Sequence, residues 1–330
     1  MKDLKTILKE SLLESTKATK FRMLIPSTKN ELVKMIKGEI KKFGYNCSLN
    51  HIKTHKITDM SYLFGNLNKK YGLEKFNGDI SGWDVSNVTN MKEMFAYSNF
   101  NKPLNRWNVS RVEDMSNMFK ASYFNQPLDK WNVSKVKNMQ YMFSDSDFNQ
   151  PINDWNVSSV ENMFNMFASS KFNQPLDKWD VSSVENMSYM FFATPFNQPI
   201  NDWDVSEVKL MYNMFCRSDF NQPINDWNIS SVENMKSMFA NSKFNKPLNS
   251  WNISSVENMS SMFAGSDFNQ PINDWDVSSV ENMELMFYGT SFNQDISNWE
   301  INTNCKTSAM FSQCKIKDEY KPKQDGKRIE

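Results

Sequence analysis

From residue 76 onward the apolar positions recur every 24 residues. Trp83, Trp107, Trp131, Trp155, Trp179, Trp203, Trp227, Trp251, Trp275 and Trp299 stand one period apart. So do the phenylalanines that open each copy, Phe76 and Phe100 through Phe292, and those of the Met-Phe pairs, Phe95 through Phe311. A fixed period of this length is the signature of stacked repeats. In the copy Phe148 to Lys171, Ile152, Trp155 and Val157 precede a polar Ser158, which predicts a short strand with Trp155 and Val157 on one face. Ser158 and Glu161 read as a capping box, and Val160, Met163, Met166 and Phe167 follow at the three- and four-residue steps of one helix face. The stretch ASSKFNQP reads as a loop, and Pro151 stops helix from continuing.

No single copy can bury its own apolar residues, whereas stacked copies can, and the expected architecture is therefore an α/β solenoid. A side-chain amide at a fixed place in each coil, Asn77, Asn101, Asn125 and onward to Asn293, is expected to bond backbone of its own coil and the next; the alternative is a local turn role. Residues 49–64 fit the template imperfectly, with Leu49, Ile52, Ile57, Met60 and Leu63-Phe64 in the usual places, and a seven-residue insertion follows. Upstream, Thr28 and Glu31 form a capping box before an amphipathic helix of Leu32, Met35, Ile36, Ile40 and Phe43 that ends at Gly44. Leu4, Ile7, Leu8 and Leu12 mark a further amphipathic helix in the first fifteen residues. The expected divisions are N-terminal helices and cap over 1–48, a solenoid over 49–314 and a charged, disordered tail over 315–330. The solenoid is read as a degenerate first coil, nine regular coils and a degenerate last coil in which Thr307 replaces a methionine.

The motif FNQPLDKWNVSSVENM, closed by Met-Phe, resembles the repeat of BspA-type leucine-rich-repeat surface proteins, over residues 49 to about 311. The resemblance implies a leucine-rich-repeat-like solenoid with one short parallel strand and one short helix per coil. It also implies a role in adhesion or protein binding, with the sheet side as the usual binding face. Surface-attached members carry a leader or anchor that is not seen here.

Composition narrows the function. The chain carries 38 Asp/Glu and 38 Lys/Arg, so it lacks the basic footprint of a nucleic-acid binder. No signal peptide and no apolar run long enough to span a membrane is seen. The expected location is cytoplasmic or virion-associated, with the cell surface by a non-classical route as alternative. Cys47, Cys216, Cys305 and Cys314 read as free thiols, with a Cys305–Cys314 pair as alternative. His51 and His55 lie four apart but in a strand-and-turn stretch, a weak case for a metal. Acids flank the tryptophans, Asp84, Asp180, Asp204, Asp276 and Glu300 after them and Asp154, Asp202, Asp226 and Asp274 before. Paired carboxylates on such a face would suit a polysaccharide-cleaving β-solenoid or a calcium row, but acids at uniform spacing more often form a solvated face.

The expected function is thus a non-enzymatic, cofactor-free module that binds another protein or a cell-surface macromolecule. The runner-up is a structural component of a virion or cell envelope, docked through the N-terminal helix. Positions that vary between coils would set specificity. One candidate surface is aromatic, on the predicted helix face: Tyr141, Phe164, Tyr189, Phe192 and Tyr212. The other is charged, on the predicted sheet face: Arg106, Lys130, Asp154, Lys178 and Asp202.

Overall fold

The computed structural model describes residues 23–66 and 70–329. The segment predicted as a helix in the first fifteen residues lies outside them. Helix α1, Lys29–Phe43, follows the sequence expectation closely. Thr28 Oγ1 accepts the Glu31 N–H at 3.2 Å, and Glu31 reaches back to the Ser27 N–H at 2.7 Å, one residue earlier than a capping box would have it. Gly44 ends the helix at φ 82°, the left-handed region that glycine enters without penalty. Leu32, Val33 and Ile36 face the solenoid core, while Phe43 is exposed. Glu39 is also buried, and its carboxylate meets His51 Nε2 at 3.1 Å and Lys42 Nζ at 2.8 Å.

Beyond α1 the chain winds as a solenoid, but its coils hold neither of the predicted elements. Among the described residues no α-helix or continuous strand occurs between Gly44 and Lys317. The stretch read as a helix is where neighbouring coils pair. In one coil the N–H groups of Met163, Asn165, Phe167 and Ser169 donate to the carbonyls of Asn186, Ser188, Met190 and Phe192 at 2.7–3.0 Å. The intervening Met166, Ala168 and Ser170 donate three residues back along their own coil. Asn165 and Ser169 sit at φ 60° and 55°, and their counterparts in every coil from Glu93 and Tyr97 onward are also left-handed. The result is a stack of turns joined by single parallel bridges, Asn90 to Asp114, Asp114 to Asn138 and onward to Lys306. A helix cannot contain a left-handed residue every fourth position. The packing also forbids one: helices side by side need 8–10 Å. The stacked Met-Phe phenylalanines stand 5.4–5.8 Å apart and the tryptophan pairs 6.3–6.5 Å.

The predicted strand is likewise a turn. Trp155 N–H donates to Ile152 O at 3.1 Å, and Val160 N–H to Val157 O at 2.9 Å. The predicted capping box does not form; Ser158 Oγ instead donates to Asn156 Oδ1 at 2.7 Å. What joins coils on this side is the tryptophan, whose indole N–H donates to a Leu or Ile carbonyl of the preceding coil, Trp155 to Leu128 O at 3.0 Å. The asparagine ladder does form. Asn149 Oδ1 accepts the Asn173 N–H at 2.9 Å and the Gln174 side-chain amide at 3.2 Å; the backbone bond repeats from Asn77 to Asn293, while the amide bond is missing where Lys102 and Lys246 replace the Gln. A buried hydroxyl closes each regular coil: Ser170 Oγ donates to Phe167 O at 2.6 Å.

The core is one continuous column from Leu32 to Ile329, with Leu or Ile, Trp, two Val or Ile, two Met and two Phe from each regular coil. The first coil pairs with the next across a step of 31 residues, Asp59 to Asn90, which absorbs the seven-residue insertion. At that junction Gly78 replaces the usual Gln or Lys, and a β-carbon there would collide with the Cys47 carbonyl. At the far end the expectation of a disordered tail is wrong. Residues 315–329 fold over the last coil through a 3-10 turn, Asp318–Tyr320, and a hairpin of β1, Lys323–Gln324, and β2, Lys327–Arg328. Ile316 and Ile329 are buried, and the Gln324 amide donates to the carbonyls of Asn302 and Cys305 at 2.8 Å. Two apolar anchors and one well-placed amide outweigh the high charge from which disorder was inferred.

Candidate functional site

Each rung of turns projects its variable side chains outward, so residues 24 or 48 apart in sequence become neighbours. Phe164 and Tyr212 share one column; Tyr141 and Tyr189 share the adjacent, left-handed column, at φ 58° each. The structure brings all five aromatic candidates into one patch over four consecutive coils. Tyr141 and Phe164 meet at 5.2 Å, Phe164 and Tyr189 at 5.8 Å, and Tyr189 and Tyr212 at 5.5 Å, all edge to face. Phe192 joins through Tyr189 at 5.4 Å. Edge-to-face packing is the favoured arrangement of aromatic rings. All five residues are half-buried. They lie on the face of inter-coil backbone bonds, which corrects their assignment to a helix face. Burial, with the neighbouring Tyr212 and Tyr189 hydroxyls, holds the Tyr141 hydroxyl above the usual tyrosine range; burial and Tyr212 do the same to Tyr189.

Two cations border this patch, and the sequence reading missed both. Lys120 Nζ sits 4.0 Å above the Tyr141 ring, and the Arg217 guanidinium lies 6.0 Å from the Phe192 ring. Both fall in the variable zone just after a Met-Phe pair, where the pattern Phe-Lys or Phe-Cys-Arg was the available signal.

The charged candidates form a second column, on turns and not on a sheet. Arg106, Lys130, Asp154, Lys178 and Asp202 are all exposed. Lys178 Nζ and Asp154 Oδ1 pair at 2.7 Å, and that contact raises the lysine pKa. An exposed pair of this kind contributes little. The acids after the tryptophans cap local turns. Asp84, Asp204 and Asp276 each accept the N–H of the serine two residues on, at 3.0–3.1 Å, and hydrogen bonds from the serine side chain and backbone lower all three carboxyl pKa values. Asn108, Asn132, Asn156, Asn228 and Asn252 make the same turn without charge. Among the described residues no group of three His, Cys, Asp or Glu could hold a metal. All four cysteines are free, and Cys305 does not pair with Cys314; burial pushes the Cys305 thiol up to about 11. No helix among the described residues is long and apolar enough to cross a membrane.

No curated protein and no solved structure matches the chain. Three overlapping stretches, residues 30–147, 124–222 and 211–322, match one repeat family. Together they run from α1 through the last coil, and the chain belongs to the family described as "Mycoplasma protein of unknown function, DUF285".

Proposed function

We propose that this repeat protein is a non-enzymatic binding module that engages another protein or a cell-surface macromolecule through the five-ring patch. The observation that carries this reading is the convergence of Tyr141, Phe164, Tyr189, Phe192 and Tyr212 on one half-exposed surface between two cations. Tyrosine and arginine dominate binding hot spots because they combine apolar area with hydrogen-bonding capacity. The resemblance to BspA-type repeats adds the adhesion expectation. The use of the acids in local turns favours binding over carbohydrate cleavage. Replacing Tyr189 and Tyr212 with Ser should weaken a partner recovered by pull-down by a few kcal/mol, as hot-spot aromatics do. Replacing Lys130 and Lys178 should have a minor effect in the same titration. The opposite ranking would move the site to the charged column.

A further inference from the structure

We propose that the last coil is a preformed edge that takes an extended acidic segment of a partner protein as its next rung. This surface is separate from the aromatic patch and does not depend on it. In the preceding coil, Leu285, Phe287 and Gly289 donate N–H groups to Ser308, Met310 and Ser312 at 3.0–3.1 Å. The corresponding donors of the last coil are Ala309, Phe311 and Gln313. Ala309 and Gln313 keep the same left-handed conformation, φ 53° and 58°, so the rung is fully shaped. Among the described residues none of the three N–H groups has an acceptor. Among the described residues the hairpin's bonds to this coil fall on its earlier part: Lys323 bridges Glu300, and Gln324 meets Asn302, Cys305 and Thr307. Between the coil and the hairpin lies a cleft of about 480 Å³ lined by Lys306, Ser308, Ala309, Lys327 and Arg328, among others.

An unpaired edge is a template for an added strand, whose carbonyls supply affinity and whose side chains supply selectivity. The three donors fall on alternate residues, so the occupant must offer carbonyls at every second position. Its side chains would be acidic on grounds of charge. Residues 306–329 hold seven Lys/Arg against three Asp/Glu, while the whole chain carries 38 of each. The cations are therefore concentrated at the end where the donors are open. Peptide carbonyls and carboxylates together suit that combination better than either alone.

The test uses the full chain and a fluorescein-labelled decapeptide of alternating Glu and Ser, with an alternating Lys and Ser peptide as control. Anisotropy should show saturable binding of the acidic peptide alone, weakened at least tenfold by Lys327→Glu with Arg328→Glu. Amide hydrogen exchange should show Ala309, Phe311 and Gln313 exchanging fast in the free protein and slowed by the peptide, with Leu285, Phe287 and Gly289 slow throughout. Binding without protection of the three amides would overturn the proposal, because it would be charge attraction alone. No binding of the acidic peptide would also overturn it. So would protection that appears without peptide as concentration rises, since the occupant would then be a second copy of this chain.

Discussion

Asn149 shows how much one side chain carries at the residue scale. Its single oxygen accepts the backbone N–H of Asn173 and the side-chain amide of Gln174 in the next coil. Changing Asn149→Ala strands both donors, and we expect a loss of about 1–3 kcal/mol in chemical denaturation. The turn acids behave differently, because Asn fills the same role elsewhere in the array. Asp84, Asp204 and Asp276 have folded pKa values below the ordinary carboxylate value. Their contribution is therefore present above the unfolded pKa of about 3.9 and is lost as pH falls through the lower folded values. A triple Asp→Asn variant should be less stable than the parent at pH 7, converge with it as pH falls below about 4, and so show a shallower decline of thermal midpoint. A variant that is equally destabilised at both pH values would show that the carboxylate charge is not what these turns use.

At the scale of the element, α1 is the one α-helix among the described residues, and Thr28 caps its start. Thr28→Ala should cost about 1 kcal/mol through its N-cap bond, measured by the shift in the denaturation midpoint. Trp179→Ala in mid-array removes an indole that is 3% exposed, and should cost about 3–5 kcal/mol. The helix, the solenoid, the asparagine ladder and the joining of the aromatic candidates were legible because each rests on spacing, and the helix's start and stop because Thr28 and Gly44 mark them. The coil's internal structure was not. Val160, Met163, Met166 and Phe167 return inward at three- and four-residue steps, but a run of tight turns returns side chains inward at the same steps. Only the left-handed residues Asn165 and Ser169 separate the two, and asparagine and serine announce that weakly. For the site, Lys120 and Arg217 went unread because cations next to a Met-Phe pair look like ordinary solvated charge until a neighbouring coil places a ring beneath them.

The whole molecule is nearly one-dimensional, because most contacts join one coil to the next. Deleting residues 172–195 as a block should therefore leave a folded, cooperatively melting protein of lower midpoint. Deleting residues 172–183 instead puts every later ladder out of step, and circular dichroism during heating should then show no cooperative transition over the downstream coils. Survival of the half-coil deletion with an unchanged midpoint would mean that the ladders do not set the fold.

Regularity of this kind has a cost in addressing: a coil that fits its neighbour also fits its neighbour's neighbour. Misregistered stacking is a hazard characteristic of repeat proteins. The junction at Gly78 supplies the missing address. Only the coil that opens at Phe76 lacks a side chain at this place, while later coils carry Lys102, Gln126 or Gln150 there. A later coil laid against the N-terminal cap would drive a β-carbon into the Cys47 carbonyl. The cap thus accepts one coil and turns the others away, and every later coil inherits its place in the queue from that first admission.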